Sequence, residues 1–170
     1  LTGPAGGYAT IGRSVDIAAL CRFFDSLEQR DALPRTILYP LNPGDYPAIA
    51  NLTGSFVAEG VAGKLQLGPA WWFNDHAHGI RAHLDAVANH GCLAAFVGMT
   101  TDSRSLLSMV RHEYFRRVLC DWIGTRVVRG EFPNDAQVLA TYVRRLSYEN
   151  ARDWLPTPNP FNHDKLLFSR

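Results

Sequence analysis

LAAFVGMTTDSRSLLSMVRHEYFRR, residues Leu93 to Arg117, holds the turn on which the fold depends. An apolar run of strand type, Leu93 to Met99, gives way to the polar turn Thr100-Thr101-Asp102-Ser103-Arg104-Ser105, and a helical apolar pattern begins at once. Strand, turn and helix form the repeating unit of α/β folds, whose ligands sit beyond the carboxyl ends of the parallel strands. A carboxylate and a guanidinium two residues apart, Asp102 and Arg104, are therefore the first candidates for a site. Local sequence alone favours a plainer reading, because Asp, Ser and Thr at helix starts commonly cap unpaired backbone N–H groups.

The same unit recurs upstream. Thr36 to Leu41, TILYPL, predicts a short strand that Pro40 ends, and a turn over Asn42 to Asp45 leads into a helix of about Tyr46 to Glu59. Lys64 to Gly68, KLQLG, predicts a second strand, followed by Pro69-Ala70-Trp71-Trp72-Phe73-Asn74-Asp75 and a helix of about Asp75 to His90. The strand starts at Thr36, Lys64 and Leu93 are spaced by about 28 and 29 residues, the length of one βα unit, so three parallel strands are expected. A helix of about Val15 to Arg30, capped by Ser14 or Asp16, precedes them. Helices near Ser105 to Thr125, Asn134 to Tyr148 and Asn150 to Leu155 follow. Residues 1–125 thus read as three βα units, and 126–170 as a helical extension with a tail extended from Pro156 to Pro160. Residues 1–13 read as a glycine-rich loop without GxGxxG spacing. Three parallel strands cannot close a barrel and leave open edges, so further strands are expected from sequence beyond this segment or from a partner.

Composition narrows the classes of function. The chain has 170 residues, 46% hydrophobic and 19% charged, which suits one globular core, and no apolar run reaches the eighteen residues that span a bilayer. Net charge is +1, with six Lys and Arg against eight Asp and Glu through residue 85, and eleven against eight after it. That balance is too even for a nucleic-acid footprint, and a small anionic ligand is expected instead. Cys21, Cys92 and Cys120 are far apart and odd in number, and they read as buried thiols of a reducing compartment. The first residues carry no secretory-signal pattern and no initiating Met, so the segment reads as cut from a larger protein.

Several side chains near the strand ends invite chemistry. Trp71 and Trp72 can wall a pocket and offer an indole N–H to a hydroxyl, or pack beneath the next helix; one in each role is expected. His76 and His78 stand at a helix start, where residues i and i+2 are expected to diverge. With His83 and His90 they read as a solvated face rather than a metal site. Asn42 and Asn74 read as caps, His112 as a support for the central turn, and Glu113 with Arg117 as an i, i+4 ion pair.

The words TILYPLNP, KLQLGPAWWFND, FVGMTTDSRS, RHEYFRR and ENARDW, in this order and spacing, resemble the C-terminal portion of the uronate (glucuronate) isomerase family, from about Pro34 to Trp154. The resemblance implies a (β/α)8 TIM barrel of the amidohydrolase type, of which this chain supplies strands six to eight and the C-terminal helices. It implies an aldose–ketose isomerase of hexuronates, converting D-glucuronate to D-fructuronate and D-galacturonate to D-tagaturonate in the cytoplasm. Asp102 matches the family's metal-site aspartate and proton-transfer residue, Arg104 the arginine that holds the substrate carboxylate, and Trp71 and Trp72 the loop that borders the sugar. One divalent metal is implied, zinc being the first choice, and whether catalysis requires it is left open. The N-terminal barrel half is the implied partner, and a homo-oligomer is left open. Two alternatives stand beside this one: a metal-dependent hydrolase of the same barrel class, and a non-catalytic module that binds sugar acids. Arg104, two residues after Asp102, argues for an acid substrate against the first.

Overall fold

The computed structural model describes residues 13–155. The glycine-rich stretch and the proline-rich tail expected at the two ends lie outside the described residues, apart from Arg13. Two short parallel strands, β1 (Thr36–Leu38) and β2 (Leu65–Leu67), pair in register Thr36↔Leu65, Ile37↔Gln66 and Leu38↔Leu67. Bonds from Thr36 N to Lys64 O and from Gly68 N to Leu38 O extend the ladder by one residue at each end.

Helices flank this sheet in the expected order: α1 (Ile17–Glu28), α2 (Tyr46–Gly54), α3 (Ala77–His90), α4 (Val110–Val128), α5 (Ala136–Arg144) and α6 (Asn150–Trp154). Asp16 caps α1 by accepting from Ala19 N at 2.9 Å. Helix α2 stops at Gly54, before the expected end at Glu59: the Thr53 hydroxyl turns back on Ala50 O, and Phe56 swings into the core beside Phe24. Along α4 the buried residues Phe115, Val118, Leu119, Trp122 and Ile123 follow the 3.6-residue period and form one stripe. That stripe packs with Ile80, Leu84 and Val87 of α3 and with Leu67 and Phe96 into the main core. A smaller core of Phe24, Leu33, Leu52, Phe56 and Leu65 lies under α1. Asp85 ties α3 to α4, accepting from Trp122 Nε1 at 2.7 Å and pairing with Arg126, whose guanidinium lies over the Trp122 ring. No helix among the described residues is long and apolar enough to cross a membrane.

The third strand is a correction. Leu93–Ala95 forms a 3-10 turn, and the buried residues from Phe96 to Met99 run on without a ladder. Side-chain amides take the places that strand partners would fill. Gln66 donates to Ala95 O at 3.1 Å and accepts from Val97 N at 3.0 Å, while Asn150 donates to Ala94 O at 2.8 Å and Phe96 O at 2.9 Å. Gly98 breaks any remaining regularity with φ +86, and a Cβ there would stand 2.2 Å from Leu146 O.

The C-terminal helices close the amino ends of these segments. Helix α5 runs through a π-helical turn, Arg145–Glu149, directly into α6, whereas two separate helices were expected. Trp154 then donates to Gly63 O at 2.8 Å, and Arg35 donates to Trp154 O. The ENARDW word thus owes its form to packing: its Asn and Trp satisfy backbone groups ahead of β2 and of the third segment.

Candidate active site

Three loops leave the carboxyl ends of β1, β2 and the third segment on one side of the sheet. In the first, Asn42 caps a 3-10 turn by accepting from Gly44 N at 2.9 Å, as expected, and Asp45 accepts from Val15 N at 3.0 Å. The second carries the aromatics. Trp71 is half-buried, edge-on to Tyr39, and its indole N–H donates to Pro40 O at 3.3 Å. Trp72 is 52% exposed beside the equally exposed Phe73, and it is held at φ 51°. For a bulky side chain this left-handed backbone costs about 1–3 kcal/mol, so the surroundings must impose it. Asn74 is not the expected cap: it is buried and donates from Nδ2 to Leu41 O at 2.8 Å, joining the first loop to the second.

The third loop carries Asp102 and Arg104. Met99, Thr100, Thr101, Asp102, Ser103, Arg104 and His112 line one open recess of about 450 Å³. Capping of the following helical turn falls to Ser105, which accepts from Leu107 N at 3.3 Å. Thr101 and Ser103 brace the loop, accepting from Ser103 N at 3.3 Å and from Ser105 N at 3.1 Å. Asp102 is thus not used as the cap that local sequence favoured. It is exposed, held at φ 49°, and makes no hydrogen bond or ion pair among the described residues. His112 reaches the same recess from the first turn of α4. Trp71 and Trp72 do not line it; they stand in the neighbouring loop.

The histidines of α3 need two corrections. His76 precedes the helix in extended backbone and caps it, with Nδ1 accepting from Gly79 N at 3.1 Å. The His76 and His78 rings therefore lie parallel, 6.3 Å apart at 7°, rather than diverging. His83 is 1% exposed, not solvated. It sits on the apolar stripe of Ile80, Leu84 and Val87, between the rings of Tyr46 and Phe96. Burial pushes it down to about 4, against the opposing pull of the Gly68 and Leu67 backbone. The cysteines are corrected too: Cys92 and Cys120 are exposed and Cys21 is partly so, which removes the buried-thiol argument for a reducing compartment. Among the described residues, no three His, Cys, Asp or Glu side chains are grouped to hold a metal ion.

Sequence reasoning missed one contact. Asp75, at the end of the aromatic loop, pairs with Arg111 of α4, Nε to Oδ2 at 3.0 Å. The only signal was the joint presence of the WWFND and RHEYFRR words.

Comparison with known proteins supplies the context. A uronate isomerase of Caldanaerobacter subterraneus subsp. tengcongensis is 50% identical over 155 residues, 91% of this chain and 33% of that protein. One from Bacillus licheniformis is 51% identical over 152 residues, covering 89% and 32%. One from Opitutus terrae is 47% identical over 152 residues, with the same coverage. The chain spans about a third of the length of the curated relatives it matches. The family profile described as glucuronate isomerase matches residues 1–155, and the chain belongs to that family.

Proposed function

We propose that the chain is the C-terminal part of an isomerase that interconverts aldose and ketose forms of hexuronates, D-glucuronate to D-fructuronate and D-galacturonate to D-tagaturonate. The observation that carries the reading is the third loop, where Asp102 is free of capping and shares a recess with Arg104 and His112. The relatives named uronate isomerase support the reaction class. On this reading Asp102 moves the proton from C2 to C1 while the hydroxyl proton passes from O2 to O1, so nothing is lost and no outside oxidant is needed. Arg104 grips the substrate carboxylate through a two-pronged charged hydrogen bond. Trp72 supplies an apolar wall, and Trp71 holds it from behind.

Asp102 is also the proposed ligand of one divalent metal, zinc being the first choice. A lone carboxylate fits such an ion as one oxygen donor, with the other donors coming from outside these residues. The metal's contribution would be to polarise the substrate's oxygens. We further propose that β1, β2 and the Phe96 to Met99 segment stand at the sixth to eighth strand positions of a (β/α)8 barrel, with residues 1–125 as βα units and 126–170 as extension. The first five strands then come from the remainder of the same protein, and the cytoplasm is the compartment. Replacing Arg104 by Met in the full-length enzyme should raise KM for D-glucuronate by about a hundredfold, with a smaller loss in kcat. An unchanged KM would remove Arg104 from substrate binding.

A further inference from the structure

The aromatic loop is held from both sides. Toward β1, Trp71 and Asn74 reach the carbonyls of Pro40 and Leu41. Toward α4, Arg111 donates from Nε to Asp75 Oδ2 at 3.0 Å and from Nη2 to the Asp75 carbonyl at 2.7 Å, and Nη2 stands 2.5 Å from Oδ1. One guanidinium thus grips both the side chain and the main chain of a single residue. Lysine, a point charge on a flexible stem, cannot reproduce that fork. Tyr114 backs it, its ring centroid 4.6 Å from the guanidinium carbon. In the first turn of α3, Gly79 leaves room for the loop's main chain to pack tightly against the helix: a Cβ there would meet Asn74 O at 2.2 Å. The strained Trp72 sits between these anchors.

The far end of the fork matters as much. Arg111 immediately precedes His112, which lines the Asp102 and Arg104 recess. The aromatic loop is therefore tied, through one ion pair, to the first turn of the helix that follows the Asp102 and Arg104 loop, and the pair's side chains are only 33% and 19% exposed. We propose that Asp75 and Arg111 are positioning residues, a clamp that sets the Trp72 wall at a fixed distance from Asp102 and Arg104 so that both close on one sugar acid. The inference rests on the isomerase reading and adds to it the device that joins its two halves. Without the clamp, the wall would drift while the chemistry at Asp102 stayed intact.

A double-mutant cycle in the full-length enzyme tests this, pairing Arg111→Met with Trp72→Ala and reading KM, kcat and Tm with D-glucuronate. Arg111→Met should raise KM about tenfold and lower kcat less than about threefold. In the Trp72→Ala background the same change should move KM less than about twofold, because the wall it positions is already gone. Arg111→Lys, which keeps the charge but not the fork, should recover most of the Tm lost in Arg111→Met but only part of the KM. Additive effects in the cycle, or a Lys variant with wild-type KM, would overturn the positioning role. Should Arg111→Met not fold, Arg111→Lys and Asp75→Asn carry the same cycle. A wild-type enzyme that turns over neither hexuronate overturns the isomerase reading and this inference with it, which is distinguishable from an active enzyme with an additive cycle.

Discussion

Asp102 sits at φ 49°, a backbone region that Asp tolerates better than most residues, with its carboxylate unspent on the helix that follows. Removing its charge while keeping its shape should therefore cost chemistry and little stability. Asp102→Asn in the full-length enzyme should lower kcat at least about a hundredfold at nearly unchanged Tm. His83 makes a prediction of the opposite kind. Its pKa is about 4 when folded against 6.5 ordinarily, so the unfolded chain binds the extra proton between those values. Stability is then full above about pH 6.5 and falls by about 3 kcal/mol as pH drops toward 4. His83→Leu should flatten that fall, read as urea midpoints at pH 7 and pH 4.5. The sequence sets Asp102 and Arg104 in one polar turn ahead of a helix, and both line the recess there, although Leu93–Ala95 is a 3-10 turn and no paired strand leads into them. His83 was misread for its polarity, although its spacing from Ile80 and Val87 put it on the buried stripe.

At the scale of elements, the helices were legible and the third strand was not. Apolar periodicity reports which face is buried, and the buried residues of α4 follow it, whereas on α3 the polarity of His83 hid the same stripe. It cannot report what the backbone hydrogen bonds of Phe96 to Met99 pair with, and here the partners are the amides of Gln66 and Asn150. Asn150 is 6% exposed and satisfies two carbonyls at once. Asn150→Ala should leave both without a donor and cost about 2–4 kcal/mol, measured by urea unfolding of the full-length protein at pH 7. A loss below about 0.5 kcal/mol would mean that water or another donor replaces it.

For the whole molecule, two paired strands and three exit loops make only part of a pocket. Leu106, Leu107 and Val110 stand 86%, 84% and 68% exposed just beyond the Asp102 loop. Relatives three times as long supply far more chain than is present here. Residues 1–170 alone should accordingly give no ketose from either hexuronate, an outcome checked beside the full-length enzyme at equal concentration. The most direct measurement of the central claim follows D-glucuronate with the full-length protein by proton NMR, wild type against Asp102→Asn. Loss of the aldose signals and growth of the ketose are expected in the wild type, and almost none in the variant. No ketose from wild type, or equal rates in both, would contradict it.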